Sequence, residues 1–323
     1  MKVGLVYRSG PNLALDAVLH QSKRADEQGF DSLWLPDHLA SVDSNEANPH
    51  EPPESMTLMG AIAAVTKRVE LAWSMLNPGF RSPAVLAKMI STLDQIAGGR
   101  IICSLGSGFL KAEYDAYGLP FIEDPTQRVA YLREVVVLLK QLWQNVAPAA
   151  VTFRGTRVRV EALQFAPQPY RKPHPPIWIG GDSPATLAVV REFADGWVSG
   201  KRAGPEYPRS IWSAPDWPSR PMTIAIVTSL IVAETRDAAL GEARVFYDQF
   251  QNTRRAALSG TFEEFINREI VGSPQDCLRR IGQLAAFGIN HLVIFFENAK
   301  QQDNIANLLL PHIRERADGW KGS

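Results

Sequence analysis

The chain has 323 residues, of which 45% are hydrophobic and 21% are charged, so it can bury a large core. Lysine and arginine together number 34, as do aspartate and glutamate, and the only basic groupings are short ones such as Arg154, Arg157 and Arg159, which argues against a nucleic-acid partner. No apolar run reaches the ~18 residues of a membrane span, and the first residues lack the features of a signal peptide, so a soluble cytoplasmic protein is expected. Cys103 and Cys277 lie far apart in the chain, so two buried thiols are expected.

Short apolar runs alternate along the chain with longer helix-like segments, and this pattern predicts a parallel sheet built from βα units. A helix is predicted from Leu13 to Gly29, and another begins at Ser273-Pro274 and ends before Gly288. The expected fold is a (β/α)₈ TIM barrel, formed as a single domain over residues 1–323. Its eight predicted strands are Val3–Tyr7, Ser32–Leu35, Val69–Ser74, Ile101–Leu105, Ile177–Gly181, Gly196–Ser199, Thr223–Val232 and His291–Phe296.

Two insertions interrupt the alternation, at about residues 106–176 and 200–221. The first contains a predicted helix, Thr126 to Asn145, and a small hairpin around Thr152 to Gly155. The second is too rich in proline for a helix and too aromatic for a plain linker, with Tyr207, Trp212 and Trp217 in it. It is interpreted either as a loop that covers the pocket or as a packed surface loop.

The end of the second predicted strand carries the first candidate for chemistry. In such a barrel the active site forms at the C-terminal ends of the strands, and here the chain reads Pro36-Asp37-His38. Histidine can accept or donate a proton near neutral pH, and an adjacent carboxylate can bias its tautomer or charge. The alternative is a histidine held by local hydrogen bonds, and it is the position at a strand end that favours a catalytic role.

The third and fourth predicted strands also end in loops with possible ligand contacts. Ser74, Met75 and Asn77 follow the third strand, where the residues alone indicate a plain strand-to-turn exit. Ser107 and Gly108 follow the fourth strand, where two glycines one residue apart let a flat ligand approach the backbone. The third glycine and distal acid of a dinucleotide fingerprint are missing, so a Rossmann site is not predicted.

After the fifth predicted strand the chain reads Gly180-Gly181-Asp182-Ser183-Pro184-Ala185-Thr186. Ser183 is placed to cap a helix that has Pro184 at its first position, and free backbone N–H groups there can bind an anion. The glycine pair has no capping duty and lets a phosphate or a ring lie against the backbone. Asp182 suits a phosphate site only if its side chain turns away to hold the loop, and a capped helix without a ligand is the alternative.

Six segments, in this order along most of the chain, resemble the bacterial luciferase-like family of flavin- and deazaflavin-dependent oxidoreductases. They are GFDSLWLPDH at 29–38, PAVLAKM at 83–89, LDQIAGGR at 93–100, LGSG at 105–108, PHPPIWIGG at 173–181 and ADGW at 194–197. The resemblance implies a TIM barrel with insertions and a cofactor at the C-terminal strand ends, either FMN or the 8-hydroxy-5-deazaflavin coenzyme F420.

The resemblance also implies roles for single residues. His38 matches the family's catalytic histidine beside the reactive ring edge, with Asp37 as its neighbour. Ser74-Met75 matches a cis peptide bond without proline that lies against the ring face. Ser183 and Thr186 match contacts of a phosphate-holding turn. The expected cofactor site comprises Ser74, Met75, Asn77, Ser107, Gly108, Gly180, Gly181, Asp182, Ser183 and Thr186, and no metal site is expected.

Two departures and several alternatives accompany this resemblance. The luciferases carry an arginine where this chain has Ser107, and the sugar-phosphate dehydrogenases of the deazaflavin branch carry a glutamate where it has Phe109. The main hypothesis is an F420-dependent hydride transfer to or from a small organic substrate by a homodimer. The close alternative is an FMN-dependent monooxygenase supplied by a partner reductase, and the more distant ones are a metal-dependent barrel hydrolase and a flavin-binding protein without activity.

Overall fold

A ring of eight parallel strands forms the centre of the molecule, as predicted. The computed structural model describes residues 1–7, 14–40, 52–145, 148–200, 206–215, 217–251, 260–296 and 298–316. The strands run around the ring in the order β3-β2-β1-β11-β9-β8-β7-β4. Their bounds are β1 Lys2–Val6, β2 Ser32–Leu35, β3 Glu70–Trp73, β4 Cys103–Leu105, β7 Ile177–Gly180, β8 Gly196–Ser199, β9 Thr223–Val232 and β11 His291–Phe295.

The ring nearly closes between β3 and β4. These two strands lack a regular ladder and are joined by parallel bridges from Leu71 to Ile101 and from Leu76 to Leu105. The amide of Ile102 donates to the carbonyl of Leu71 over 2.8 Å, which ties the two strands together. The (β/α)₈ barrel expected from the sequence is therefore confirmed.

Helices surround the ring and begin and end where local signals place them. Gly29 ends α1 with a φ of 88°, a backbone conformation that glycine adopts without strain. Ser273 caps α10, and Asp276 returns the bond to the Ser273 backbone in a capping box. The helices are α1 Leu15–Gln28, α2 Ser55–Val65, α3 Pro83–Ala97, α4 Lys111–Ala116, α5 Pro125–Gln144, α6 Pro184–Phe193, α7 Glu206–Trp212, α8 Arg236–Gln251, α9 Phe262–Arg268, α10 Pro274–Ala286, α11 Ala299–Leu308 and α12 Leu310–Glu315.

Side chains fill the barrel interior, and each of the eight strand positions around the ring contributes one buried residue. Trp34 and Trp178 are the bulky members, with ring centroids 5.5 Å apart. A Cβ on Gly4 would lie 2.7 Å from Nε1 of Trp34, so large and small residues alternate to fill the space. This inner cluster comprises Val6, Trp34, Ala72, Ile102, Trp178, Val198, Ala225 and Val293.

The first insertion matches its prediction. Helix α5 precedes an antiparallel hairpin of β5 Val151–Arg154 and β6 Arg159–Leu163. A further short strand that was not predicted, β10 Ile270–Gly272, pairs in parallel with the C-terminal half of β9. None of the described helices is both long and apolar enough to cross a lipid bilayer.

The second insertion differs from its prediction. Residues 201–205 and 216 lie outside the described part, but α7 spans Glu206–Trp212, so the expectation that proline excludes a helix here is wrong. Pro208 lies in the first turn, where a backbone N–H needs no partner.

The two tryptophans of this insertion pack away from the strand ends that carry the predicted site. Trp212 donates to the carbonyl of Phe287 over 2.7 Å, just before β11 begins, and Trp217 packs on Trp197 with ring centroids 5.6 Å apart. For these two side chains the packed-loop interpretation holds and the pocket-cover interpretation does not.

Candidate active site

The predicted site residues follow four strands that are consecutive around the ring, β2, β3, β4 and β7. Because the strands are parallel, their C-terminal ends meet at one face of the barrel. His38, Ser74, Ser107 and Gly181 follow these strands in turn. The fold therefore brings the sequence-predicted residues to one edge.

His38 is paired with a buried acid from another strand end. Its Nδ1 lies 3.1 Å from Oε1 and 3.2 Å from Oε2 of Glu113, and the two side chains are 16% and 3% exposed. The same carboxylate accepts from the backbone amides of Leu39 and Ala40 over 2.9 and 3.2 Å. A carboxylate that already accepts from two amides favours Nδ1–H of His38 as a further donor, which leaves Nε2 for another partner.

Glu113 is the partner of His38 that the sequence reasoning missed. It lies in the short helix α4, 75 residues from His38 along the chain. The glutamate expected of the sugar-phosphate dehydrogenases at 109 is indeed absent, and Phe109 is 71% exposed, but an acid reaches the histidine from position 113. The available signal was an acidic residue shortly after a strand end, which is too common to single out.

Asp37 is held by other groups than His38. Its carboxylate accepts from both Nη atoms of Arg81 over 2.8 and 2.9 Å, from the Ser55 hydroxyl over 2.6 Å and from the Asn77 amide over 2.8 Å. Burial by itself lowers the pKa of Arg81, but Asp37 and Glu54 outweigh burial and raise it. Asp37 thus ties the end of β2 to the loop after β3, and the acid that sets the His38 tautomer is Glu113.

The peptide bond between Ser74 and Met75 is cis, as predicted. The Met75 side chain lies between the backbones of β4 and β7. A Cβ added at Gly106 would be 3.1 Å from Cβ of Met75, and one at Gly180 would be 2.6 Å from its Cγ. Gly180 therefore makes room for Met75, whereas the sequence reasoning attributed the glycine pair to a ligand.

Asn77 and Gly108 are in direct contact across the ends of β3 and β4. Gly108 has a φ of +68°, and a Cβ there would lie 2.7 Å from Oδ1 of Asn77. The Tyr114 hydroxyl donates to the same Oδ1 over 2.7 Å, and burial raises the pKa of Tyr114 to about 12. These contacts hold Ser107 and Gly108 beside the loop that follows the cis bond.

The turn from Gly180 to Thr186 is held by hydrogen bonds of Asp182 and Ser183. The Asp182 carboxylate accepts from the Ser199 hydroxyl over 2.7 Å and from the Gly200 amide over 3.1 Å, so it turns away and holds the end of β8. Ser183 caps α6 through the Thr186 amide over 3.1 Å, and the two hydroxyl oxygens are 2.8 Å apart. Two hydroxyl groups thus lie at a helix N-terminus, where a phosphate fits.

A metal site finds no support in the described part of the chain, where no group of three or more His, Cys, Asp or Glu residues lies together. The buried histidine at the opposite end of the barrel, His291, bonds instead to the Ser32 hydroxyl over 2.8 Å. The site residues described above suit a flavin-type cofactor better than a metal ion, because they include hydroxyl groups at a helix N-terminus and a single histidine.

Comparison with known proteins identifies the family of the chain. Residues 3–291 match the family model described as "Luciferase-like monooxygenase". The chain is 29% identical to an F420-dependent glucose-6-phosphate dehydrogenase of Microbacterium testaceum, with 95% of each chain covered. It is 27% identical to an FMNH(2)-dependent dimethylsulfone monooxygenase of Pseudomonas putida, over 81% of this chain and 79% of that one.

A solved structure shares the fold. The monooxygenase from Streptomyces bottropensis superposes with a TM-score of 0.80 at 22% identity, covering 97% of this chain and 99% of that one. At this identity the likeness concerns the barrel and its connections.

Proposed function

The chain belongs to the luciferase-like monooxygenase family, and on that premise we propose that it transfers a hydride between the deazaflavin coenzyme F420 and a small organic substrate. His38 is the proposed proton donor or acceptor. The observation that carries this proposal is the His38–Glu113 pair at the C-terminal end of the barrel, because Glu113 holds Nδ1 and leaves Nε2 for the reacting oxygen.

Each proposed role belongs to a named group of the chain. When bound, the deazaflavin supplies two-electron hydride chemistry at its central ring. Ser183 and Thr186 would bind a phosphate at the N-terminus of α6, and the Ser74–Met75 peptide would lie against the ring. When a hydroxyl is oxidised, the unprotonated Nε2 of His38 takes its proton and forms an imidazolium next to Glu113. When a carbonyl is reduced, that imidazolium gives the proton back from Nε2 to the substrate oxygen.

The choice of F420 over FMN is supported by the relatives. The dehydrogenase that shares 95% of its length with this chain is F420-dependent. The dimethylsulfone monooxygenase supports the alternative, an FMN-dependent monooxygenase that receives reduced flavin from a separate reductase. Titrating the purified protein with F420 and with FMN, each oxidised and reduced, separates the two. Tight binding of F420 is expected, and tight binding of FMN alone would refute the proposal.

The role of His38 is tested by His38→Ala. Turnover is expected to fall by ~10²- to 10⁴-fold, the usual contribution of a general acid or base, while cofactor affinity stays within about twofold. Unchanged turnover with a genuine substrate would remove His38 from the mechanism. We also propose that the protein acts as a homodimer of single-domain subunits, which light scattering coupled to gel filtration tests.

A further inference from the structure

A cavity of about 220 Å³ opens beside the candidate active site, and we propose that it binds a phosphate or carboxylate group. Two arginines, Arg128 and Arg157, line it, and the described lining residues include no acid. Ser107, at the end of β4, lines both this cavity and the predicted cofactor site. A ligand in the cofactor site can therefore extend an anionic group into the cavity.

The cavity and His38 both lie beside the helix α4. Glu113 and Tyr114 are consecutive in that helix, and Glu113 faces His38 whereas Tyr114 lines the cavity. Ser183 and Thr186 do not line it. The cavity is thus a second polar subsite, separate from Ser183 and Thr186.

The polar groups of the wall are arranged so that positive charge dominates. The Tyr114 hydroxyl donates to Asn77 over 2.7 Å, and the Tyr131 hydroxyl donates to the carbonyl of Pro78 over 3.3 Å. Both hydroxyl protons are therefore already used within the protein. Arg128 donates to the carbonyls of Gly108, Ile122 and Glu123, which fixes its guanidinium without neutralising it. Neither Arg128 nor Arg157 forms an ion pair with a carboxylate of the described residues.

The hairpin between β5 and β6 is built to present Arg157. The Glu134 carboxylate on α5 accepts from the backbone amides of Thr156, Arg157 and Val158 over 2.8 to 2.9 Å. A Cβ at Gly155 would lie 2.5 Å from Oε2 of Glu134, so only glycine permits this approach. Burial by itself raises the pKa of Glu134, but the hydrogen bonds from the three backbone amides outweigh burial and lower it. The Glu134 carboxylate is therefore bound to the backbone of the hairpin.

An exposed arginine that shares a cavity with a fixed one suits an oxyanion. A guanidinium offers a fork of N–H donors that matches a phosphate or a carboxylate, and charge-assisted bonds of this kind are the stronger ones. The identity of the ligand rests on the proposed function: the anionic group belongs either to the tail of the coenzyme or to a phosphorylated substrate.

The test uses inorganic phosphate and three variants of the full chain. Arg157→Ala removes the exposed guanidinium, Arg157→Lys keeps the charge without the fork, and Arg159→Ala removes an exposed arginine of the same hairpin that does not line the cavity. Calorimetric titration with phosphate gives the dissociation constant of each. We expect Arg157→Ala to weaken phosphate binding about tenfold or more, Arg157→Lys to weaken it less, and Arg159→Ala to leave it unchanged.

Repeating the titration on protein saturated with F420 distinguishes the sources. If the coenzyme tail occupies the cavity, phosphate binding disappears, and if a substrate phosphate belongs there, it persists. Either result supports the subsite, provided that Arg157→Ala weakens phosphate binding to the protein without coenzyme. Equal phosphate affinity in Arg157→Ala and in the unaltered protein would overturn the proposal, even if F420 binds. If neither F420 nor FMN binds, the proposed function fails, but the comparison of Arg157→Ala with Arg159→Ala still decides the subsite.

Discussion

Replacing Glu113 by glutamine changes which nitrogen of His38 carries the proton. The amides of Leu39 and Ala40 donate to Oε1 of Glu113, so a glutamine there keeps its amide oxygen on those donors. Its NH₂ group then replaces Oε2, which lies 3.2 Å from Nδ1 of His38. The NH₂ group can only donate, so it favours an unprotonated Nδ1. The amide oxygen stays 3.1 Å from Nδ1, but it is neutral and accepts more weakly than the carboxylate, so the balance shifts the proton towards Nε2.

The expected magnitude follows from the bond that is lost. A hydrogen bond to a charged group contributes ~1.5 to 3 kcal/mol, so kcat should fall by ~10- to 150-fold in Glu113→Gln. KM should stay within about twofold, because the residue does not hold the ligand. The assay is steady-state turnover of F420 with a carbonyl substrate, and ¹⁵N NMR of labelled histidine reports the tautomer directly.

The matched control is Asp115→Asn, which makes the same chemical change on α4 at a side chain that is 58% exposed and paired with Lys111. It should leave kcat unchanged. In a His38→Ala background, Glu113→Gln should have no further effect on kcat, because the two residues act as a unit. The reasoning is refuted if Glu113→Gln retains full kcat with Nδ1 still protonated, or if its effect persists without His38.

Three further predictions concern stability. Arg81→Met leaves the Asp37 carboxylate buried without its cation and should lower the free energy of unfolding in urea by ~3 to 5 kcal/mol. Gly180→Ala, whose Cβ would lie 2.6 Å from Cγ of Met75, should cost ~1 to 3 kcal/mol, and Met75→Ala in the same chain should recover part of it. Burial, followed by the charges of the N-terminus, lowers the pKa of His291 from 6.5 to about 3. Between pH 6.5 and about 3, the unfolded chain therefore binds a proton at His291 that the folded chain does not bind. The free energy of unfolding is highest above pH 6.5 and falls by up to ~1.4 kcal/mol for each pH unit below it. His291→Gln should reduce this slope.

Matched variants control these measurements. Arg133→Met breaks an ion pair with Glu192 in which both side chains are about half exposed, and it should cost less than ~1 kcal/mol. Gly241→Ala adds a Cβ within α8 where nothing lies within 4 Å, so it should not destabilise. His20→Gln alters an exposed histidine and should leave the pH slope unchanged. Equal effects in test and control variants would contradict the corresponding argument.

The features predicted best are those set by local chemistry. The N-cap at Ser183, the helix start at Ser273-Pro274 and the C-terminal glycine at Gly29 depend on hydrogen bonds within a few residues, so the neighbouring residues determine them. The prediction for the proline-rich insertion was wrong because it did not consider where in a helix a proline would lie. Pro208 lies in the first turn of α7, where proline is tolerated. The short strand β10 was missed because three residues carry too little pattern.

The site was predicted in position but not in its partnerships. The sequence located His38 at a strand end and the resemblance located the cis bond at Ser74-Met75. Adjacency suggested that Asp37 would act on His38, yet the backbone directs the two side chains to different partners, Arg81 for one and Glu113 for the other.

What the sequence by itself determined is the eight strands of the ring, the caps of several helices and the candidate residues at four strand ends, because hydrophobic periodicity and short-range hydrogen bonds act within a few residues. What only the tertiary structure decided is which side chains meet across those ends. Three such contacts join residues about 30 to 105 positions apart in the chain. They are the Glu113 carboxylate on His38, the Met75 side chain between Gly106 and Gly180, and the two arginines around one cavity. Such contacts depend on the closure of the barrel, which sets parallel strands side by side regardless of their separation along the chain.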